Sequence, residues 1–147
     1  MSLPCYNYVI PLPVTVSIIV ISDLRVLVHK YNDNYCFPFD FMSKEDGSSY
    51  AMASKILRKC TGIDIVDYNK WLQIDVRSAS LRKQPIVNKF SLDIGYAAII
   101  DEHDEVSSKD FIWQVVNFDD YKFPLKLESD HLELWKNTIP MLELLRA

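Results

Sequence analysis

The sequence has few glycines and few cysteines, and each scarcity excludes a class of protein. Only three glycines occur among the 147 residues, so the glycine-rich phosphate loops of P-loop and dinucleotide-binding folds are excluded. The three cysteines form no paired motif and leave one over, which favours free thiols over a disulfide framework. We therefore expect a protein of the reducing cytoplasm.

An excess of basic charge is also missing. Sixteen Lys and Arg face 20 Asp and Glu, for a net charge of -4, so bulk attraction to nucleic acid or to an anionic membrane is not expected. No basic residue precedes Arg25, so we expect no secretion signal with its positively charged leader. The apolar stretch at residues 8–21 contains two prolines and is too short to span a bilayer. We expect neither nucleic acid nor a membrane as a partner.

The composition that remains is that of an ordinary globular domain. Hydrophobic residues make up 49% and charged residues 24% of the chain, which fits a chain that folds around its own apolar core. The length lies in the commonest range for one domain, about 100 to 150 residues. We therefore predict a single domain over residues 1–147.

Local patterns predict a sheet with a helix in the first half and a helix at the end. The β-branched runs at residues 14–21 and 25–30 predict a hairpin. Ser48 or Ser49 can cap a helix over residues 50–59, which Thr61 and Gly62 would end. Further segments have the character of strands: residues 63–66, 71–76, 86–100 and 111–116.

Loops and a last helix complete the pattern. Residues 80–84 and the acidic residues 101–110 read as loops between strands. Asp130 and Glu133 resemble a capping box at the start of a helix that runs to the C-terminus. Pro140 should kink or split that helix.

This order of elements resembles the Nudix (MutT-like) hydrolase family. Its fold is of the α+β class, an α/β/α sandwich in which helices flank a mixed β-sheet. The family carries a box of the form G-x5-E-x7-R-E-U-x-E-E-x-G-U, where U is aliphatic. If Thr61-Gly62-Ile63 is the end of that box, residues 55–60 take the place of R-E-U-x-E-E.

Two other segments carry the resemblance across the chain. Cys36-Phe37-Pro38-Phe39-Asp40 lies where the family has an apolar residue followed by Pro-Gly-Gly, although both glycines are missing. The stretch from Arg82 to Gly95, followed by Tyr96-Ala97-Ala98, looks like the ADP-ribose pyrophosphatase branch. There, an arginine-bearing loop precedes a long strand.

The resemblance implies a Mg²⁺ site on the box helix, but the acidic ligands are absent. Residues 47–63 contain no Asp or Glu, and Ile56, Lys59 and Cys60 share the face that should hold the metal. At about 5 Å and an effective dielectric of about 20, one ammonium disfavours a divalent ion by roughly 6 to 7 kcal/mol. The sequence therefore predicts that metal-dependent pyrophosphohydrolase activity is lost, with no catalytic residue, metal ligand or cofactor at the box.

Three functions remain open from the residues. The first is a non-catalytic regulatory protein that binds a nucleoside diphosphate-type small molecule. The second is a hydrolase that holds Mg²⁺ on acids recruited from Asp40, Glu45, Asp46 or residues 102–105. The alternative for each of these acids is an ordinary acidic side chain in a solvated loop, with no role as a metal ligand. The third is an interaction module, in which Met52, Ile56 and Cys60 form a homodimer or partner surface unless the protein's own loops cover them.

Four basic residues are candidates for binding the phosphates of such a ligand. Lys55 and Lys59 lie on the box helix, while Arg77 and Arg82 flank the loop in the middle of the chain. Arginine pairs with phosphate oxygens through two parallel hydrogen bonds. The alternative for all four is a solvated surface charge without a ligand.

Overall fold

The two β-branched runs near the start of the chain form the predicted hairpin. β1 (Val14–Ser22) and β2 (Arg25–Tyr31) pair in antiparallel register around Asp23 and Leu24. Both turn residues have positive φ angles, 49° and 64°, as the tightest two-residue hairpin turns require.

The computed structural model describes residues 13–31, 33–65, 68–80, 90–101, 111–120, 122–142 and 144.

Across these described residues, seven strands form one mixed sheet. The others are β3 (Asn34–Cys36), β4 (Phe39–Phe41), β5 (Leu72–Ser80), β6 (Phe90–Ile99) and β7 (Phe111–Val115). The order is β3-β2-β1-β6-β5, with β4 paired to β1 and β7 paired to β2. β1 and β6 are parallel, and the remaining pairs are antiparallel.

Helix α1 (Ser49–Thr61) begins and ends where its capping residues predict. The Ser48 hydroxyl accepts a hydrogen bond from the Ala51 N–H, and Gly62 ends the helix with a φ of 81°. One face of the sheet, which includes Val16 and Ile18, packs against the buried side of this helix. The buried residues of the helix are Met52, Ala53, Ile56, Leu57, Cys60 and Thr61.

Helix α2 (Ser129–Thr138) covers the opposite face of the sheet. Leu134 and Trp135 pack in one cluster with Ile19 and Ile21 of β1. The sheet thus lies between two helices, which confirms the predicted α/β/α sandwich of the α+β class. A 3-10 turn at Ile139–Met141 follows α2, so the predicted interruption at Pro140 is confirmed.

Three local predictions were wrong or reach beyond the described residues. Residues 63–65 form no strand, although Ile63 and Ile65 are buried in the core. The predicted capping box is absent, because Glu128 is the N-cap of α2 and its side chain accepts no capping hydrogen bond. Residues 81–89 and 102–110, including most of the predicted loops, lie outside the described residues.

Within the described part of the chain, no helix has the length and apolar character needed to cross a bilayer.

Candidate functional site

On the α1 face where the resemblance expects a metal, two of the three residues lie in the hydrophobic core. Ile56 is 3% exposed and Cys60 is 7% exposed, and both belong to the cluster on the α1 side of the sheet. Met52, the third member of the predicted contact stripe, is 2% exposed. Of the two alternatives for this stripe, the structure therefore shows the one in which the protein itself covers it, and the cover is the hydrophobic core.

The cations of α1 each have an acidic neighbour. The Lys55 ammonium lies 3.0 Å from Asp46, the Lys59 ammonium lies 3.6 Å from Asp40, and Arg58 lies 3.9 Å from Asp64. The pairs of Arg58 and Lys59 are exposed on both sides and are surface ion pairs of small energy, about 0 to 1 kcal/mol each. In the third pair Lys55 is 55% exposed, whereas the side chain of Asp46 is only 4% exposed. The positive charge of the helix is locally neutralised rather than collected at one point.

Two of the acids predicted as relocated metal ligands, Asp46 and Asp40, belong to separate pairs of this kind. Asp46 accepts hydrogen bonds from the backbone N–H and the hydroxyl of Ser43, at 2.6 and 3.2 Å. These bonds and the nearby Lys55 hold the pKa of Asp46 below its ordinary value. Asp40 pairs instead with Lys59. Among the described residues, no group of three potential metal ligands converges, and residues 102–105 lie outside them.

Cys60 is an inert thiol in this environment. Burial raises the pKa of Cys60 to about 11, against a smaller opposing effect of the Lys59 ammonium. A thiol with that pKa is almost entirely protonated at neutral pH, so it offers neither a nucleophile nor a thiolate ligand.

Arg77 lies on the other side of the sheet from α1, in a buried ion-pair cluster. Its guanidinium donates to Asp93 at 2.6 Å, to Asp75 at 2.8 Å and to the Asp130 carbonyl oxygen at 3.2 Å. Burial opposes its charge, but the carboxylates of Asp93 and Asp75 raise the pKa of Arg77 above its ordinary value. With three protein acceptors and 7% exposure, Arg77 holds the sheet to α2.

The sheet therefore separates the predicted ligand-binding residues. Lys55 and Lys59 project from α1, which packs on one face, whereas Arg77 contacts α2 on the opposite face. Arg82 lies outside the described residues. The structure does not bring the first three together, and the role of each in binding a ligand stays a prediction.

A buried polar network surrounds Asp93 and was missed by sequence reasoning. Thr15 and Ser17 donate their hydroxyls to Asp93, the latter at 2.8 Å. His131 completes the network: its Nδ1 accepts from the Phe37 N–H at 2.8 Å, and its Nε2 lies 2.9 Å from the Ser17 hydroxyl oxygen. Because a backbone N–H can only donate, the proton of the neutral imidazole is on Nε2 and points to Ser17.

A signal for this network is present in the sequence. Thr15 and Ser17 alternate with apolar residues in an otherwise β-branched strand, and a polar pair on one face of a buried strand indicates a polar partner inside the protein. That partner is 76 residues away from Ser17 in the chain, so no local pattern identifies it. The network is fully buried, since Ser17, Asp93 and His131 are each 0% exposed.

Sequence comparisons and structure comparisons give different results for this chain. Neither a protein-family model nor a curated protein sequence matches it. The NUDIX domain of Shewanella oneidensis NrtR, solved in complex with ADP ribose, matches with a TM-score of 0.67 and 19% identity over 95% of this chain and 96% of that one. A MutT/nudix family protein from Enterococcus faecalis matches with a TM-score of 0.66 and 16% identity, over 95% of this chain and 67% of that one.

A third similar structure is the C-terminal domain of mouse MUTYH in complex with human PCNA. It has a TM-score of 0.64 and 9% identity, and the match covers 89% of this chain and 90% of that one. At these identities the likeness concerns the arrangement of the backbone and not the residues of the site. Together with the mixed sheet between two helices, the comparisons show that this chain has the Nudix fold.

Proposed function

We propose that this Nudix-fold protein binds a nucleoside diphosphate-type small molecule without hydrolysing it. The observation that carries the proposal is the face of α1, where buried Ile56 and Cys60 and the paired Lys59 take the positions of the box glutamates. Hard divalent ions need several oxygen ligands, usually carboxylates. An apolar surface with one ammonium supplies none.

The similar structures support the class of ligand. The NrtR domain was solved with ADP ribose, and a bifunctional protein from Francisella tularensis, with a TM-score of 0.61 and 15% identity, was solved with AMP and a manganese ion. The side chains of Lys59 and Asp40 are both well exposed, so Lys59 can exchange its carboxylate for a phosphate at little cost. Lys55 is also exposed, but its partner Asp46 is only 4% exposed, so exchange there leaves a carboxylate with little solvent. Lys55, Lys59 and Arg82 are therefore the proposed phosphate contacts, and Arg77 acts through the packing of the sheet.

Calorimetry and a hydrolysis screen on the same protein test this proposal. We expect ADP-ribose to bind with equal affinity with and without Mg²⁺, and no phosphate or AMP to be released with Mg²⁺ or Mn²⁺. Lys55→Glu with Lys59→Glu should weaken binding about tenfold, because charge reversal replaces attraction by repulsion, while Lys70→Glu serves as the control. Turnover with either metal would favour a hydrolase with relocated ligands, and the absence of heat under both conditions would remove the binding proposal.

An interaction function is the second candidate, and strand β7 is the observation that favours it. β7 pairs with β2 along one edge, and Ile112 and Val115 are 41% and 58% exposed. No second strand pairs with β7 among the described residues. An exposed edge of this kind can accept a strand from another chain. Light scattering on Val115→Lys tests it. If the wild type and the variant have the same molar mass in solution, the result argues against self-association through this edge.

A further inference from the structure

A groove of about 740 Å³ lies between α2 and the segment of chain that leads into it. Its apolar lining includes Phe123 and Leu125 from that segment and Leu132, Trp135 and Ile139 from the helix. Because α2 covers the face of the sheet opposite α1, the groove is separate from the box helix. Its volume lies in the range of small-molecule sites, about 300 to 1,000 Å³.

The walls of the groove are held in place by the rest of the fold. Tyr35 of β3 donates its N–H to the Lys126 carbonyl oxygen and accepts a hydrogen bond from the Glu128 N–H, both at 2.8 Å. The rings of Phe123 and Trp135 meet edge to face with centroids 5.2 Å apart, which is a favourable aromatic packing geometry. The groove therefore exists before any ligand binds, and little ordering is needed on binding.

Three lysines, Lys122, Lys126 and Lys136, line this groove. All three are exposed, and none forms an ion pair with a described residue, in contrast to the basic side chains of α1. The lining also holds two acids. Asp120 accepts from the Lys122 backbone N–H at 3.0 Å, and Glu128 accepts from the Asn34 side chain at 3.5 Å. In a chain of net charge -4, three lysines against two acids give this groove a small local excess of positive charge.

We propose that this groove binds a small amphipathic anion, with an alkyl or aryl body on the apolar lining and a carboxylate or phosphate group among the three lysines. The apolar lining would contact one end of the ligand and the lysines the other. Burial of the apolar body supplies affinity, and the lysines select the anionic head. A nucleoside diphosphate does not fit this description, because it lacks an extended apolar body. The inference does not depend on the proposed function.

Dodecanoate is a suitable probe, and its uncharged counterpart dodecanol is the matched control. Titration of ¹⁵N-labelled full-length protein below the micelle concentration should shift the backbone amides of residues 122–139 and leave those of α1 unchanged. Dodecanol should bind about tenfold more weakly, since it keeps the apolar body and loses the charge attraction to the lysines. Dodecyl phosphate should bind at the same amides, because the lysines recognise charge rather than one head group.

Surface variants then locate the site without disturbing the core. Lys126→Glu with Lys136→Glu should weaken dodecanoate binding about tenfold, and Leu132→Glu should weaken it by about as much, because it places a carboxylate in the groove. Lys70→Glu and Val76→Glu, exposed positions outside this groove, are the matched controls and should bind as wild type. The inference is overturned if dodecanoate does not bind, if the shifted amides lie elsewhere, or if the groove variants bind as tightly as the controls.

Discussion

At the scale of single residues, the burial of Ile56 and Cys60 limits what α1 can present to a ligand. Both are less than a tenth exposed, so an acid at either position would be buried rather than presented to solvent. A buried carboxylate needs a compensating charge or several hydrogen-bond donors. Placing a metal-binding carboxylate at either position therefore requires more than one substitution.

Ile56→Glu should destabilise the protein by about 3 kcal/mol, because it removes apolar burial and places a carboxylate in the core. Urea unfolding followed by circular dichroism measures the change. Arg58→Gln, at an exposed position of the same helix, is the control and should change the free energy of unfolding by less than about 0.5 kcal/mol. A stable Ile56→Glu variant that gains Mg²⁺ binding would show that this face is open.

Cys60 should resist alkylation in the folded protein. With a pKa of about 11, the thiolate fraction at pH 8 is about one in a thousand, and the rate should rise about tenfold per pH unit until the pKa is reached. Iodoacetamide labelling followed by peptide mass spectrometry measures it at pH 7, 8 and 9. The urea-unfolded chain is the control, and equal labelling of folded and unfolded protein at pH 8 would contradict the assignment.

At the scale of elements, the sequence predicts those whose signals are local. The hairpin and α1 have their turn and capping residues within a few positions of each other, so local chemistry determines their limits. The prediction of a strand at residues 63–65 was wrong because apolar residues can be buried without pairing in a sheet. The buried ion pair of Arg77 with Asp93 has no local signal, because the two residues face each other only in the β5–β6 register.

The close contact between α2 and β6 depends on Gly95. A Cβ atom at this position would lie 2.3 Å from Leu134 Cδ1 and 2.7 Å from Asp75 Oδ1, both closer than van der Waals contact allows. Gly95→Ala should therefore destabilise the protein by about 1 to 3 kcal/mol, measured by urea unfolding. In a Leu134→Ala background the same change should cost less, because one of the two clashes is removed. If Gly95→Ala lowers the free energy of unfolding equally in both backgrounds, the proposed clash with Leu134 does not occur.

At the scale of the whole molecule, the Nudix fold is held together by a buried polar network as well as by its two apolar clusters. Asp93 joins β1, through Thr15 and Ser17, to β5, through Arg77, and Arg77 continues to α2. A buried charge pair contributes little net stability compared with an apolar pair, but removal of one partner leaves the other charge buried alone. The network therefore fixes how the sheet and α2 fit together.

Asp93→Ala should be among the most destabilising single substitutions in the protein. It leaves the Arg77 guanidinium with Asp75 as its sole carboxylate among the described residues and removes the acceptor of two buried hydroxyls, so we expect a loss of about 3 to 5 kcal/mol. Thermal and urea unfolding measure it. Asp64→Ala removes the acid of an exposed pair, 3.9 Å from Arg58, and should cost less than about 1 kcal/mol. The triple variant Asp93→Ala, Arg77→Met and Asp75→Asn should recover part of the loss, because it also removes the Asp75 carboxylate, which is 13% exposed and would otherwise lose its partner Arg77. If the triple variant is as unstable as Asp93→Ala alone, hydrogen bonding to Thr15 and Ser17, rather than the charge of Arg77, accounts for the role of Asp93.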